Sequence, residues 1–171
     1  MPQERDNNFF GDEIVFEYSW KMLSNSQIDE LITEFPGKEE FKAFYLTHNG
    51  GIFTKRAFFY PHNYYNLSKD YELIEIGSFL HLSPLEDDEK SNFTISIEEE
   101  IDRRNYSDDF EDFILFNIPF AINDADNDFW IDIQSGEIKY VDYSVSYDPN
   151  NAIIIAPSFS DFCKNIKANR K

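Results

Sequence analysis

Aspartates at alternating positions give the chain one arrangement that could bind a metal ion. Asp124, Asp126 and Asp128 have the spacing of positions 1, 3 and 5 of a calcium-binding loop, where side-chain oxygens coordinate the ion. That loop also needs glycine at position 6 and glutamate at position 12, and this sequence has Phe129 and Ser135 there. Because Asp and Asn also favour tight turns, the segment is predicted to be a turn between strands, with no metal site.

The histidines and the cysteine form no recognisable metal-binding or catalytic pattern. His48, His62 and His81 are widely spaced, and the one cysteine, Cys163, falls on the apolar side of the last predicted helix. A structural zinc site needs about four Cys or His ligands at short, characteristic spacings. The six glycines form no phosphate-binding loop. The sequence therefore predicts a protein that is not an enzyme and binds no cofactor.

Acidic side chains are the most distinctive chemical feature of the chain. It has 33 acidic and 15 basic residues and a formal net charge of −18. A charge of this size argues against binding nucleic acid or an anionic membrane and favours a basic partner. Half of it lies in residues 86–112, the acidic window, where twelve acids accompany three bases. The candidate partner-binding residues in this window are Asp87, Asp88, Glu99, Asp102, Asp108, Asp109, Glu111 and Asp112.

Two interpretations of the acidic window are open at this point. It is either a solvated insertion loop or a docking face for a basic protein. Negative charge concentrated on one face would increase the association rate with such a partner. Aromatic side chains among the acids would supply anchors for the contact, although they could equally face inward. These aromatic residues are Phe93, Tyr106, Phe110 and Phe113.

A pair of helices is predicted near the start of the chain. Residues 13–23 have apolar side chains at every second position, which favours a strand, although a helix also fits this short run. Ser24 to Ser26 provide a helix cap, and apolar residues follow at helical spacing as far as Phe35. After Pro36-Gly37, a second helix is predicted over Lys38–His48. It ends at Asn49-Gly50-Gly51, because Asn and Gly adopt the left-handed conformation that closes helices.

Most of the later chain has the pattern of short β-strands. The candidate strands are Phe53–Tyr60, Tyr71–Leu82, the apolar run Phe113–Ile122, Phe129–Ile133, Ile138–Asp142 and Ala152–Ala156. The fourth and fifth alternate apolar and polar residues around Gln134-Ser135-Gly136, which predicts a hairpin. A short helix is predicted at Ile97–Arg104.

A final helix is predicted after the Ser158 cap. Phe159, Phe162, Cys163 and Ile166 follow at helical spacing. The basic residues Lys164, Lys167, Arg170 and Lys171 would occupy its C-terminal half, where positive charge is favourable. The order of elements predicts an α+β fold, with a mainly antiparallel sheet, an N-terminal helix pair and a C-terminal helix.

Four segments in the same order resemble a known family. SQIDELITEFPGKEEFKAFYLTHNGG resembles the opening helix pair of SUKH-superfamily domains, which are related to the yeast cell-wall synthesis regulator. LIEIGSFLHL is similar to the mid-chain strand of the family, FAINDADNDFWIDIQSGEI to its hairpin, and SFSDFCKNI to its closing helix. These segments extend over roughly residues 26–167, so the resemblance implies one SUKH-like domain within residues 1–171.

The resemblance implies a binding protein without catalytic residues. Bacterial members are largely immunity proteins that neutralise toxins, many of them nucleases, and fungal members are regulatory scaffolds. A nuclease site is basic so that it can hold phosphate, and an acidic protein can occupy it. We therefore expect a cytoplasmic immunity protein that binds a basic toxin domain, and neither nucleic acid nor membrane. The alternative is a regulatory or scaffold module of the cell-wall-synthesis-regulator type.

Overall fold

The structure, a computed structural model, describes residues 9–84 and 89–168. Its strands are β1 (Phe16–Glu17), β2 (Gly51–Phe59), β3 (Ile74–Phe79), β4 (Asn117–Ile122), β5 (Asp128–Asp132), β6 (Ile138–Val141), β7 (Ile153–Ala156) and β8 (Ile166–Lys167). Its helices are α1 (Asn25–Leu31), α2 (Lys38–Thr47), α3 (Ile97–Arg104), α4 (Asp108–Phe116) and α5 (Phe159–Lys164). Strands β1 to β7 lie in sequence order, each antiparallel to the next, and β8 also pairs with β2. The predicted α+β fold is confirmed.

Phenylalanine rings join the sheet to helices α2 and α5. Phe79 of β3 is completely buried, and its ring centroid is 4.9 Å from that of Phe44 in α2 and 5.4 Å from that of Phe120 in β4. Phe159 of α5 packs against Phe120 at 5.4 Å. Because aromatic side chains bury large apolar areas, these rings make the helices and the sheet one hydrophobic core.

Helix α4 packs on the opposite face of the sheet from this core. Phe110 of α4 belongs to a second buried cluster with Trp130, Val141 and Tyr143. Trp130 lies between Phe129 and Ile131 in β5, and both of these belong to the main core. Successive side chains of a strand point to opposite faces, so Trp130 and α4 lie on the face away from the main core.

Helix α4 is the largest difference from the sequence prediction. The apolar run Phe113–Ile122 is divided between the last turn of α4 and strand β4, so the expected strand is wrong in its first half. The helix begins after Ser107, whose hydroxyl accepts a hydrogen bond from the Phe110 amide at 3.2 Å. Phe110, Phe113 and Ile114 then lie on one side of the helix and pack against the sheet.

The two ends of the described chain also differ from expectation. Helix α5 ends at Lys164, and Ile166 is in β8 opposite Phe59, so its expected helical position is wrong. Lys167 lies in β8 as well, and Arg170 and Lys171 are outside the described residues. In residues 13–23 the structure has the two-residue strand β1 and no helix. None of the helices in residues 9–84 and 89–168 is long and apolar enough to cross a membrane.

Asn49, which follows α2, is hydrogen-bonded to two distant segments of the chain, at Lys21 and at Leu82. Its side-chain amide donates hydrogen bonds to the carbonyl oxygens of Lys21 at 2.7 Å and Leu82 at 2.9 Å. Its side-chain oxygen accepts a third hydrogen bond from the Leu82 amide at 2.8 Å. Gly50 follows with a φ of 72°, in the left-handed region. The predicted end of the second helix is confirmed. Asn49 also joins the segment before α1 to the residues that follow β3.

Candidate functional site

Two consecutive helices contain most of the acidic residues of the acidic window. Residues 97–116, which contain α3 and α4, include eight acids and two arginines. Each helix is capped by a serine: Ser96 accepts from the Glu99 amide at 3.0 Å, and Ser107 caps α4. Six of the acids lie in the first turns of these helices, where the helix dipole favours negative charge. The clustering therefore has a local structural basis, and the predicted helix at Ile97–Arg104 is confirmed.

The predicted partner-binding residues fall into three groups. Asp87 and Asp88 lie outside the described residues. Glu99 is half-buried, and its carboxylate is 3.5 Å from the Lys90 ammonium. The remaining five, named here the α3–α4 acids, are exposed: Asp102, Asp108, Asp109, Glu111 and Asp112. Within residues 9–84 and 89–168, no lysine or arginine forms an ion pair with any of these five.

Buried acids on the inner side of α3 have a different role. Glu100 and Asp128 are both 0% exposed. Arg103 is 2.6 Å from the carboxylates of Glu100 and Asp126, and Arg104 is 3.0 Å from that of Asp128. Arg104 also donates to the backbone oxygen of Asp126 at 2.7 Å. These contacts fix α3 to the turn between β4 and β5, so two of the three aspartates, Asp126 and Asp128, bind arginines.

The predicted turn itself is present between β4 and β5. The Asp126 amide donates to the Asn123 carbonyl at 3.0 Å, and Asp126 has a φ of 61°, which Asp tolerates in turns. In the part of the chain that the structure describes, no group of three His, Cys, Asp or Glu side chains has a metal-binding arrangement.

The environment of Asp128 favours its protonated form. Burial raises the pKa of Asp128 to about 8, and a hydrogen bond with Glu100 adds to the increase, while Arg104 opposes it. The Tyr143 hydroxyl donates to Asp128 at 2.5 Å, and burial raises the pKa of this tyrosine as well. At neutral pH the buried Asp128 carboxyl therefore retains its proton.

This proton makes the stability of the fold depend on pH. Asp128 has a folded-state pKa of about 8, above its ordinary value of 3.8, so the folded chain binds a proton that the unfolded chain has released. Raising the pH from 5 to 8 should lower the free energy of unfolding by ~1 kcal/mol per pH unit through this group. Asp128→Asn removes the titration. Urea denaturation should show that the wild type loses stability relative to Asp128→Asn across this range, and parallel curves would contradict the assignment.

The aromatic residues of the acidic window divide between the surface and the interior. Phe93 and Tyr106 are exposed, Phe110 is buried and Phe113 is half-buried. The Tyr106 ring centroid is 6.2 Å from that of Tyr147, an exposed residue that the sequence analysis did not single out. No local pattern identifies Tyr147, because its relation to Tyr106 arises only when the loop after β6 folds against the start of α4.

The cysteine and the histidines do not converge on a reactive site. Cys163 is buried in the main core, and burial raises the pKa of its thiol well above the usual value, which disfavours the reactive thiolate. His81 is buried, and its Nδ1 is 2.8 Å from the Thr94 hydroxyl. His48 is also buried, at the end of α2, whereas His62 is exposed.

Comparison with known proteins identifies the family. No curated protein and no solved structure matches the chain. The model of the SMI1 / KNR4 family (SUKH-1) matches residues 22–165, which extend from just before α1 to just after α5 and include both α3 and α4. The match covers most of the chain and confirms the resemblance seen in the sequence. Proteins of this family are generally non-enzymatic and act in immunity or regulation. The chain therefore belongs to the SMI1 / KNR4 family (SUKH-1).

Proposed function

We propose that the chain is an immunity protein that acts in the cytoplasm by binding a basic toxin domain and blocking its active site. The observation that carries the proposal is the group of five exposed α3–α4 acids, which have no ionic partner among the described residues. Exposed carboxylates without a neighbouring cation project their field into solvent and attract positive charge. A nuclease toxin must present positive charge to hold phosphate, so such an enzyme is the expected target.

The packing of the two helices supports a docking role. Phe110 anchors α4 to the sheet, and Arg104 anchors α3 to the turn before β5. A rigid surface loses little conformational entropy when it binds, so more of the interaction energy contributes to affinity. The proposed face comprises the α3–α4 acids with Glu99 at its border, and Asp87 and Asp88 are included from the sequence.

Neutralising the face should slow association with the toxin. The test variant carries Asp108→Asn, Asp109→Asn, Glu111→Gln and Asp112→Asn, all in α4. Stopped-flow mixing with the cognate toxin domain, to be sought among the products of the neighbouring genes, should show an association rate about tenfold lower at low salt, because electrostatic steering is lost. The difference should shrink as salt is added, because ions screen exposed charges.

The matched control removes the same number of exposed charges elsewhere. It carries Glu17→Gln, Glu30→Gln, Glu39→Gln and Glu40→Gln, in β1, α1 and α2. Its association rate should stay within about twofold of the wild type, because its charges are remote from α4. Equal losses in the two variants would reject the proposed face, and a wild type that leaves the toxin active would reject the immunity role.

A further inference from the structure

We infer that the exposed pair Tyr106 and Tyr147 is the part of the docking face that binds an arginine side chain of the partner. Tyr106 is 51% exposed and Tyr147 is 66% exposed, and their rings meet edge to face at 73°. Large aromatic side chains concentrated at one surface position are typical of interface anchors. The inference rests on the proposed function, because it takes a basic protein as the partner.

Buried rings hold the exposed pair in place. Tyr106 packs on Phe110 at 5.2 Å between ring centroids, and Tyr147 packs on Tyr143 at 5.9 Å. Phe110 and Tyr143 are themselves stacked at 6.1 Å, which closes a cluster of four rings. Both inner rings are buried. The two outer rings therefore present a preformed surface that needs little ordering when a partner binds.

The backbone on both sides of the pair is also constrained. Tyr106 lies in the three-residue connection between α3 and α4, and its amide donates to the Arg104 carbonyl at 2.9 Å. Before Tyr147, the Asp142 carboxylate accepts hydrogen bonds from the amide and hydroxyl of Ser144 at 3.0 and 2.6 Å. The Ser146 hydroxyl accepts from the Asp148 amide at 3.0 Å. These bonds fix both segments that carry the exposed rings.

The inner side of the same cluster already binds a guanidinium group. The Arg104 guanidinium lies 3.8 Å from the centroid of the Tyr143 ring, while Arg104 also pairs with Asp128. A cation above an aromatic ring is attracted by the negative face of the ring. The cluster thus shows on its buried side the combination of aromatic ring and carboxylate that we assign to its outer side.

Charge around the outer pair selects a cation over an apolar group. Residues 105–112, which include Tyr106, contain four acids and no base, and residues 143–151, which include Tyr147, contain Asp148 and no base. The cation beside the cluster, Arg104, is buried and contacts Asp126 and Asp128, so it is directed away from the outer rings. An apolar partner would desolvate these carboxylates without compensation. Arginine stacks on aromatic rings and bonds carboxylates in a bidentate manner, whereas lysine is a compact and strongly hydrated charge. Arginine is therefore the side chain that fits both features.

Peptide binding to the full chain tests this inference without a toxin. The probes are two nine-residue peptides of equal charge, one alternating arginine with glycine and the other lysine with glycine. Isothermal titration should show that the arginine peptide binds the wild type about two- to fivefold more tightly, the range of an exposed cation–π contact. In Tyr106→Leu/Tyr147→Leu the two peptides should bind equally, and Tyr106→Phe/Tyr147→Phe should retain the preference because the rings remain.

Controls separate this inference from the proposed function. Tyr18→Leu/Phe93→Leu removes another exposed and stacked aromatic pair and should leave the arginine preference intact. Asp108→Asn/Asp109→Asn should weaken both peptides by similar factors. Equal binding of both peptides to the wild type, or no binding of either, would overturn the arginine assignment. The toxin experiment with the neutralised α4 variant would still decide the acidic face independently.

Discussion

Arg104→Met should lower the free energy of unfolding by about 3 kcal/mol at pH 6, because it removes a charged hydrogen-bond donor to Asp128 and to the Asp126 carbonyl from the buried cluster. Arg104 is 3.0 Å from Asp128, and the carboxyl groups of Asp128 and Glu100 are fully buried. After the substitution Glu100 still pairs with Arg103, but Asp128, which is protonated at pH 6, loses the hydrogen bond that Arg104 donates to it. Urea denaturation followed by tryptophan fluorescence would measure the change.

The pH dependence of this loss is a sharper test of the same cluster. Burial raises the pKa of Asp128 to about 8 in the wild type, and removing Arg104 raises it further, because Arg104 lowers it. Below pH 8 both proteins hold the proton and lose stability in parallel as the pH rises. Above pH 8 only the variant continues to lose stability, so the difference should widen by ~1 kcal/mol per pH unit.

Two further variants test why Arg104→Met should lower the stability of the fold. Arg56→Met breaks an ion pair with Glu75 at the surface, and it should leave stability almost unchanged because exposed pairs contribute little. Arg104→Met/Asp128→Asn should recover part of the loss, because the buried acid is gone and the amide oxygen still accepts from Tyr143. Equal effects of Arg104→Met and Arg56→Met would show that the buried cluster has no special role.

Gly50→Ala should destabilise the fold by about 3 kcal/mol, which combines backbone strain with a steric clash. Gly50 has a φ of 72°, and a side chain in this conformation costs about 1–2 kcal/mol. A Cβ atom at this position would also lie 2.9 Å from backbone atoms of Leu80 and His81, and overpacking of this kind costs about 1–3 kcal/mol. Thermal and urea denaturation would measure the loss.

Gly37→Ala is the matched control for Gly50→Ala. Gly37 has a φ of 88°, but a Cβ atom there would have no neighbour within 4 Å. The control therefore carries the backbone strain alone and should cost about 1–2 kcal/mol. If the two variants lose equal stability, the close contact between Gly50 and the backbone of Leu80 and His81 does not restrict the side chain at position 50.

Helices α3 and α4 show which local sequence signals are sufficient to predict a helix. The bounds predicted for helix α3, Ile97–Arg104, are those of the structure, in which Ile97 and Ile101 are four residues apart and Ser96 caps the helix. Helix α4 was missed, because Phe113 to Phe116 form a continuous apolar run that fits a helix and a buried strand equally well. Ser107, three residues before Phe110, was the available signal for its start.

The buried acids and the exposed tyrosine pair could not be predicted from local sequence patterns, because both depend on contacts between distant parts of the chain. The sequence groups the acids of α4 in one window, and the structure shows them exposed, but no local pattern marks Glu100 as a buried residue. Glu100 is recognisable as buried only through Asp128, which lies 28 positions later in the chain and is brought close by strand pairing. The contact between Tyr106 and Tyr147 depends in the same way on the path of the loop after β6.

Strands β1 and β8 both pair with the same side of β2, and this arrangement determines where other molecules can be joined to the protein. Phe16 lies opposite Phe53 and Ile166 opposite Phe59, so the two junctions are about 20 Å apart along one strand. Helix α4 packs over β5 and β6, three and four strands away. A tether, dye or fusion partner attached beside either short strand would therefore leave the acidic helices free, and tandem copies could each present them outward.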